Sequence, residues 1–347
     1  MSGTGPGPLR VLVCDDSALI RGAISRIIEG DPAIKVVARA SNGQQAVDTL
    51  RHTQVDVVVL DVEMPGMDGL TALPLLLQSR PAPRVLMAST LTTRGAEVTL
   101  RALRLGAADC IAKPSALGAL GEGEFRRDLV SKIQALGRRA GGGARSLSLK
   151  PLPRPVRPAQ LLAVGSSTGG PQALFNLVQG LGAYLPVPVV ITQHMPASFM
   201  PTLAEHLRRI GGMPCDLAEA GAPLLPGRIY LAPGDRHLMI ERLGSALRAH
   251  LDDGPPVNFC RPSVDPMFHS AARATAGAVM LIMLTGMGQD GLDGTRAAVE
   301  AGAVAIAQDE ETSVVWGMPG AIARAGLCHA VLPLPQIAPR LLELLAR

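Results

Sequence analysis

The chain has 347 residues, of which 47% are apolar, 18% are charged and 2% are aromatic, and its formal net charge at pH 7 is +4. The apolar content excludes wholesale disorder, and the length exceeds what a single hydrophobic core usually serves, so we expect two globular domains. The scarcity of aromatic rings argues against a site that stacks the bases of single-stranded nucleic acid.

The N-terminal part of the chain alternates short apolar runs with amphipathic segments. The apolar runs predict five strands, at residues 9–14, 34–38, 55–60, 84–88 and 110–112. The segments between them predict helices near residues 17–29, 43–51, 69–79 and 95–105. This alternation favours an α/β domain with a doubly wound parallel sheet, whose functional site lies at the carboxyl ends of the strands.

A stretch rich in glycine and then in proline separates this part from the rest of the chain. Residues 137–160 have the sequence GRRAGGGARSLSLKPLPRPVRPAQ, with little hydrophobic periodicity. We therefore predict a first domain over residues 1–137, a Gly/Pro-rich linker over 138–158 and a second domain over 159–347. A second doubly wound α/β domain is predicted from apolar runs at 161–164, 187–192, 228–231, 278–284 and 303–307.

Carboxylate, hydroxyl and ammonium side chains follow the predicted strands of the first domain. Asp15 and Asp16 follow the first strand, and Asp61 follows the third. Ser89 follows the fourth strand and Lys113 the fifth. Because the ends of parallel strands share one edge of the sheet, we expect these groups to converge. Asp15 alone is better explained as a helix cap, but the whole set in this order favours a functional site.

Clustered carboxylates repel one another unless a cation lies between them, and oxygen ligands of this kind suit Mg²⁺. A metal ion together with Lys113 would stabilise phosphoryl oxygens while one carboxylate attacks phosphorus. Ser89 would then donate a hydrogen bond to the acquired phosphoryl group. Asp56, within the third strand, and Asp68, in the turn after it, are better explained by structural roles.

With these side chains in this order, residues 9–137 resemble a response-regulator receiver domain. The resemblance implies a flavodoxin-like fold and phosphorylation of Asp61, with a histidine kinase as the phosphodonor. It implies Mg²⁺ as the cofactor of that phosphorylation, bound by three carboxylates: Asp15, Asp16 and Asp61. It also implies that Ser89 and Lys113 register the phosphoryl group, and that the Lys113–Pro114 peptide bond is cis.

The first predicted strand of the second domain ends in a glycine-rich turn that carries a serine. Residues 165–170 have the sequence GSSTGG, and Pro171 then opens an amphipathic helix. This context fits a GxSxG nucleophile elbow with Ser167 at its centre, and the helix N-terminus would offer free N–H groups to a developing oxyanion. A phosphate-binding loop is the alternative, although both GxGxxG and the GK[ST] ending of a P-loop are missing.

A serine nucleophile needs a base, and the base needs an orienting acid. The strand at 187–192 delivers His194 near its carboxyl end, and the strand at 278–284 delivers Asp290 in the segment TGMGQDG. Three other carboxylates are rivals for the role of the acid: Asp253, Asp265 and Asp293. The chain order of serine, histidine and then acid excludes the α/β-hydrolase fold, in which the acid precedes the histidine.

Several segments of the second domain resemble the catalytic domain of chemotaxis protein-glutamate methylesterases, the CheB family. The match covers most of residues 160–345 and includes GSSTGG, ITQHMP, YLAPGDRHL, RPSVDPMFHSAA, MLTGMGQDG and SVVWGMPGA. The resemblance implies a Rossmann-like fold and phosphorylation-regulated hydrolysis of glutamate γ-methyl esters on methyl-accepting chemoreceptors. It also implies deamidation of particular receptor glutamines, all as part of sensory adaptation in a two-component system.

The same resemblance assigns roles to individual residues. It implies a triad with Ser167 as nucleophile, His194 as base and Asp290 as orienting acid, and no cofactor for ester hydrolysis. It places the oxyanion hole at the backbone N–H groups of Thr168 and Met287. Ser166 departs from the family, which commonly carries alanine there, and so puts a second hydroxyl beside the nucleophile. The roles of three matched residues stay open between a substrate groove and structural contacts: Arg261, Asp265 and Trp316.

Two other outputs are alternatives for the second domain. A DNA-binding output would be a smaller, helical module, and the basic stretch at 138–160 is better explained as a solvated linker. An adaptor that binds receptors without hydrolysing them would not need a complete triad. Without a signal peptide, a membrane-spanning apolar run or CxxC cysteines, we expect a cytoplasmic monomer that binds no nucleic acid and does not insert into membranes.

Overall fold

The computed structural model describes residues 7–113, 123–137, 148–151 and 158–346. The chain divides into two units, Met1–Arg139 and Ala140–Arg347, here called the first and the second unit. The Lys113–Pro114 peptide bond and most of the predicted linker lie outside the described residues.

The first unit is built on a five-stranded sheet with the order β2-β1-β3-β4-β5, in which every neighbouring pair is parallel. Its strands are β1 (Leu9–Cys14), β2 (Ile34–Ala40), β3 (Val57–Asp61), β4 (Arg84–Thr90) and β5 (Asp109–Lys113). Its helices are α1 (Ala18–Glu29), α2 (Gly43–Leu50), α3 (Gly69–Leu77), α4 (Thr93–Arg104) and α5 (Gly123–Gly137). The predicted doubly wound sheet is confirmed, whereas α5 was not among the predicted helices.

Short polar side chains fix where the helices of the first unit begin. Ser17, Asn42 and Thr92 each accept a hydrogen bond from an N–H group in the first turn of α1, α2 and α4. Asp68 caps α3 in the same way, with its Oδ1 2.7 Å from the Thr71 nitrogen. Each cap satisfies a backbone donor that the helix leaves unpaired, so the turns after the strands are held at defined positions.

The second unit contains a seven-stranded parallel sheet with the order β14-β13-β12-β6-β7-β9-β8 and a separate antiparallel hairpin, β10-β11. Its strands are β6 (Leu161–Ser166), β7 (Val189–Gln193), β8 (Cys215–Leu217), β9 (Ile229–Leu231), β10 (His237–Leu243), β11 (Ala246–Asp252), β12 (Val279–Met283), β13 (Val304–Gln308) and β14 (Ala330–Leu332). Its helices are α6 (Gly170–Leu181), α7 (Met200–Gly211), α8 (Val264–Ala274), α9 (Leu292–Glu300), α10 (Met318–Arg324) and α11 (Leu334–Leu345). The second doubly wound sheet is also confirmed; the β10-β11 hairpin was not predicted.

The strand order of the second unit creates a switch point beside β6. From β6 the chain first adds β7, β8 and β9 on one side and then returns to add β12 on the other. Loops that leave β6 and β12 therefore diverge and open a crevice at the carboxyl edge of the sheet, which is where ligands bind in open α/β sheets. Ser167 follows β6, and the loop with Asp290 follows β12.

Helix α8 packs against this sheet through an apolar face. Its Val264, Met267 and Phe268 side chains are buried in the core of the second unit. This burial fixes the N-terminus of α8 near the crevice, where its free N–H groups can meet an anion. Among the helices in the described ranges, none is both long and apolar enough to cross a membrane.

Replacing Asp68 with alanine tests the capping of α3. We expect Asp68→Ala to destabilise the first unit by about 1 kcal/mol, since the Thr71 N–H loses its acceptor. Urea denaturation followed by hydrogen exchange of β1 and β3 peptides measures the loss. The control Asp48→Ala removes exposed contacts with Arg51 and Gln44 and should cost about 0.5 kcal/mol or less. Equal losses in the two variants would contradict the capping role.

Candidate active site

The turn between β6 and α6 holds Ser167 at the end of the central strand. Gly169 adopts a φ of 76°, a left-handed conformation that only glycine adopts routinely. Gly170 approaches Gln193 so closely that a Cβ atom there would lie 1.9 Å from the Gln193 Oε1. The two glycines are therefore required for the close packing of the turn against β7. Ser167 itself keeps 7% of its surface exposed.

Gln193 distinguishes the two neighbouring serines. Ser166 is fully buried, and its hydroxyl donates a 2.7 Å hydrogen bond to the Gln193 Oε1. The amide nitrogen of Gln193 donates to the backbone oxygens of Ser167, at 3.0 Å, and His194, at 2.9 Å. The Ser166 hydroxyl thus makes a structural contact, whereas Ser167 directly follows β6 and keeps a small part of its surface accessible.

His194 occupies the position beside Ser167 on the neighbouring strand. In the β6–β7 ladder, Ser166 pairs with Gln193. The His194 N–H also donates a 3.1 Å hydrogen bond to the Ser166 oxygen. The residues that come next, Ser167 and His194, therefore lie side by side. The His194 Nε2 lies 2.8 Å from the Asp290 Oδ2, and its Nδ1 lies 3.5 Å from the Cys260 Sγ. With Nε2 held by Asp290, Nδ1 is the nitrogen left to accept a proton.

Asp290 is the most heavily hydrogen-bonded carboxylate of this region and is almost fully buried. Its Oδ2 faces His194 and accepts a 2.7 Å bond from the N–H of Val264, the first residue of α8. Its Oδ1 accepts hydrogen bonds from three further groups: the Ser263 hydroxyl (2.7 Å), the Asn258 amide (3.1 Å) and the Asp265 N–H (3.2 Å). A carboxylate at a helix N-terminus with this many donors is stable in its ionised form.

The three rival carboxylates occupy other positions. Asp253 pairs with Arg236 through hydrogen bonds of 2.7 and 3.0 Å. Asp265 accepts a 2.6 Å bond from the Gly294 N–H and a 2.8 Å bond from Asn258. Asp293 lies in the first turn of α9. Of the four carboxylates, Asp290 is the one in contact with His194.

The pKa values of the pair follow from these contacts. Burial alone would lower the pKa of His194, but the hydrogen bonds with Asp290 and Cys260 outweigh it and raise the pKa to about 10. Burial alone would raise the pKa of Asp290, but His194, Val264 and Ser263 hold it well below its ordinary range. Each partner thus favours the charged form of the other.

Two backbone N–H groups beside Ser167 are available for an oxyanion. Within the described residues, the N–H groups of Ser167 and Gly286 donate to the carbonyls of Thr285 and Val315, both at 3.0 Å. No such backbone bond is made there by the N–H groups of Thr168 and Met287, the two predicted oxyanion donors. Thr168 lies in the turn after β6 and Met287 in the loop after β12, so both follow strands that flank the switch point.

Sequence reasoning missed the groups that hold Asp290 and the thiol beside His194. Ser263 and Asn258 were not considered, although a serine directly before a helix is a recognisable cap signal. Cys260 gave no signal because its partner, His194, lies 66 residues away in the chain.

Arg261 donates to the carbonyls of Asp253 and Gly254, each at 3.1 Å, which is a structural contact within its own loop.

Trp316 also makes intramolecular contacts. Its Nε1 donates a 2.8 Å hydrogen bond to the Gln308 oxygen, and the Arg324 guanidinium lies 5.2 Å from the ring centroid. The indole is therefore held between β13 and α10 by a hydrogen bond and a cation–π contact. These contacts favour a packing role for Trp316.

The carboxyl edge of the first unit brings together the predicted acidic pocket. One carboxylate oxygen from each of Asp15, Asp16 and Asp61 lies within 4.8 Å of the others. The Lys113 Nζ lies 2.6 Å from the Asp15 Oδ2 and 2.7 Å from the Asp61 Oδ1. Burial raises the pKa of Asp61 more than Lys113 lowers it. Three carboxyl groups face the Lys113 ammonium here, so the fully ionised pocket would carry a net negative charge, which a bound cation would offset.

This donor set fits Mg²⁺. Three hard carboxylate oxygens at this spacing match the ligands that Mg²⁺ takes, and Asp16 is exposed to solvent, which leaves room for water ligands. Ser89 lies next to Ala88, the register partner of Asp61 in the β3–β4 ladder. Its hydroxyl donates a 3.2 Å hydrogen bond to the Gly95 oxygen. Ser89 is therefore near the pocket but is bonded to the start of α4.

Comparison with known proteins identifies the family. A family model described as CheB methylesterase matches residues 162–341, which carry Ser167, His194 and Asp290. The chain belongs to the CheB methylesterase family. A second model, described as a response regulator receiver domain, matches residues 11–122, which carry the acidic pocket.

Individual relatives extend over almost the whole chain. A protein-glutamate methylesterase/protein-glutamine glutaminase of Azospirillum brasilense is 48% identical over 99% of this chain and 94% of its own length. One from Caulobacter vibrioides is 51% identical over 95% of this chain and 97% of its own length. The crystal structure of the Thermotoga maritima CheB methylesterase catalytic domain superposes with a TM-score of 0.53 at 36% identity, over 54% of this chain and 98% of that domain.

The raised pKa of His194 predicts how the reactivity of Ser167 depends on pH. A base acts only when it is neutral, so the rate of Ser167 labelling by a serine-directed fluorophosphonate should rise between pH 7 and pH 9. Cys260→Ala removes a hydrogen bond that raises the pKa of His194 and should shift this profile to lower pH. A wild-type rate that levels off near pH 7, or an unshifted profile in Cys260→Ala, would contradict this electrostatic account.

Proposed function

We propose that this protein hydrolyses glutamate γ-methyl esters on methyl-accepting chemoreceptors, deamidates particular receptor glutamines, and is regulated by phosphorylation of Asp61. The observation that carries the proposal is the contact between His194 and Asp290 beside Ser167, at 2.8 Å. Its support is the family membership of the chain together with relatives named for both activities. A histidine kinase is the proposed phosphodonor.

In the acylation step, the Ser167 Oγ attacks the carbonyl carbon of the ester while the His194 Nδ1 accepts its proton. Asp290 holds the ring through Nε2 and stabilises the imidazolium that forms. The carbonyl oxygen becomes an oxyanion, which accepts hydrogen bonds from the N–H groups of Thr168 and Met287. Collapse of the tetrahedral intermediate breaks the bond to the methoxy oxygen, and His194 returns the proton so that methanol leaves.

In the second step, water hydrolyses the acyl-enzyme. His194 takes a proton from water, the hydroxide attacks the acyl carbon, and the bond to the Ser167 Oγ breaks as the hydroxyl is re-protonated. The product is a glutamate carboxylate on the receptor. A glutamine side chain follows the same sequence with ammonia as the leaving group, so one triad serves both reactions.

In the receiver pocket, an Asp61 carboxylate oxygen attacks the phosphorus of the kinase phosphohistidine, and the histidine nitrogen leaves. The Lys113 ammonium, now 2.7 Å from Asp61, is placed to contact the transferred phosphoryl oxygens. Bound by Asp15, Asp16 and Asp61, Mg²⁺ would offset the negative charge of the phosphoryl group. Ser89 would exchange its bond to Gly95 for one to that group.

Removal of the nucleophile tests the hydrolase directly. We expect Ser167→Ala to lower methanol release from methylated receptor membranes by about 10⁴-fold or more, because no acyl-enzyme forms. Asp290→Asn should lower it by about 10⁴-fold, because the base loses its orientation. The matched control is Ser166→Ala, which removes a structural hydroxyl and should lose less than about tenfold. Full activity in Ser167→Ala would overturn the assignment.

Substitution of the phosphoacceptor tests regulation. A small phosphodonor such as acetyl phosphate should raise methanol release by the wild type, and Asp61→Asn should abolish that increase because asparagine has no carboxylate to phosphorylate. Asp68→Asn is the matched control: it keeps the cap of α3 and should respond as the wild type does. Equal stimulation of wild type and Asp61→Asn would refute regulation through Asp61.

A further inference from the structure

A tight turn lies directly over the His194–Asp290 pair. The N–H of Val257 donates to the Cys260 oxygen at 3.1 Å, and the N–H of Cys260 donates back to the Val257 oxygen at 2.9 Å. The two central residues, Asn258 and Phe259, have φ values of 52° and 62°. Positive φ at both central positions is the signature of a type I′ turn, whose preferred sequence is Asn-Gly. Phenylalanine therefore occupies the position that favours glycine.

Phe259 is unfavourable for folding in two respects. An L side chain in the left-handed region is strained, and only glycine, with occasional Asn or Asp, adopts it routinely. The ring is also 96% exposed, whereas none of the other four phenylalanines, all in described residues, is exposed. A strained residue that leaves its apolar surface in water contributes nothing to the core, so its presence points to function.

The turn is rigidly attached to the catalytic pair. Asn258 donates to the Asp265 Oδ2 at 2.8 Å and to the Asp290 Oδ1 at 3.1 Å. Cys260 contacts the His194 Nδ1, and the buried His237 bonds to the Pro255 oxygen at 3.1 Å. The backbone of Phe259 is thus held at a fixed place beside the catalytic pair, and its side chain extends from there into solvent. Such pre-organisation reduces the entropy that a recognition residue loses on binding.

We infer that Phe259 is a specificity-determining residue that packs against an apolar side chain of the protein substrate next to the modified glutamate. The inference rests on the proposed function and adds to it a contact outside the ester group. The occupant is a protein segment rather than a small ester, because the ring projects into solvent beyond the buried triad. The neighbouring Val257, 36% exposed, extends the apolar surface offered to that segment.

The test compares Phe259→Gly with the wild type in two reactions of the full chain: methanol release from methylated receptor membranes and fluorophosphonate labelling of Ser167. We expect Phe259→Gly to lower kcat/KM for methanol release from the receptor, mainly by raising KM. This loss should be about tenfold larger than any change in the rate of Ser167 labelling. The melting temperature should stay the same or rise, because glycine adopts a positive φ without strain. Phe259→Leu should recover part of the receptor activity, and Phe259→Asn should not.

Leu243→Ala is the matched control, since Leu243 is another exposed apolar side chain, 64% accessible, at the end of β10. It should match the wild type in both reactions. Equal receptor activity in Phe259→Gly and wild type would overturn the inference alone. Parallel losses in both reactions with a lower melting temperature would make Phe259 a structural residue and also overturn it. A wild type that labels at Ser167 yet releases no methanol would contradict the proposed function, and this inference with it.

Discussion

The hydrogen bond between the His194 Nε2 and the Asp290 Oδ2 is the contact on which the active site of the second unit depends. The two residues lie 96 positions apart in the chain and leave strands on opposite sides of β6, so only the completed sheet brings them together. The carboxylate stays ionised because the N-terminus of α8, Ser263 and Asn258 all donate to it. A buried charge without these donors would be costly, so the packing of α8 is a condition for the pair.

Both units place their chemistry at the same kind of position. In the first unit, the acidic pocket lies where the loops after the neighbouring strands β1 and β3 diverge. In the second unit, the triad lies where the loops after the neighbouring strands β6 and β12 diverge. Each site gathers charge that the sheet alone would not stabilise. The first has the Lys113 ammonium in contact with Asp15 and Asp61, and the second has backbone and side-chain donors around Asp290. One architectural rule thus yields a phosphoryl-accepting site and an acyl-transfer site.

Much of this could be predicted because the relevant signals are local. Apolar runs mark the strands. Asp15 and Asp61 come directly after two of these runs, and Ser167, His194 and Asp290 lie in the turns and loops after three others. The β10-β11 hairpin was missed because its two strands follow each other without a helix between them. They therefore lie outside the alternation of strand and helix on which the prediction was based. Cys260 and Asn258 were missed because their partners are distant in sequence, and no short pattern records a contact that the fold alone creates. The strain at Phe259 is likewise a backbone property that side-chain pattern does not report.

The central claim is that Ser167, His194 and Asp290 act as one unit with the Thr168 and Met287 N–H groups. A crystal structure of the full chain after reaction with a fluorophosphonate tests it most directly. The account predicts phosphorus bonded to the Ser167 Oγ, one phosphonyl oxygen within hydrogen-bond distance of both N–H groups, and the His194 Nδ1 facing the adduct. An adduct on Ser166, or a phosphonyl oxygen directed away from Thr168 and Met287, would contradict it.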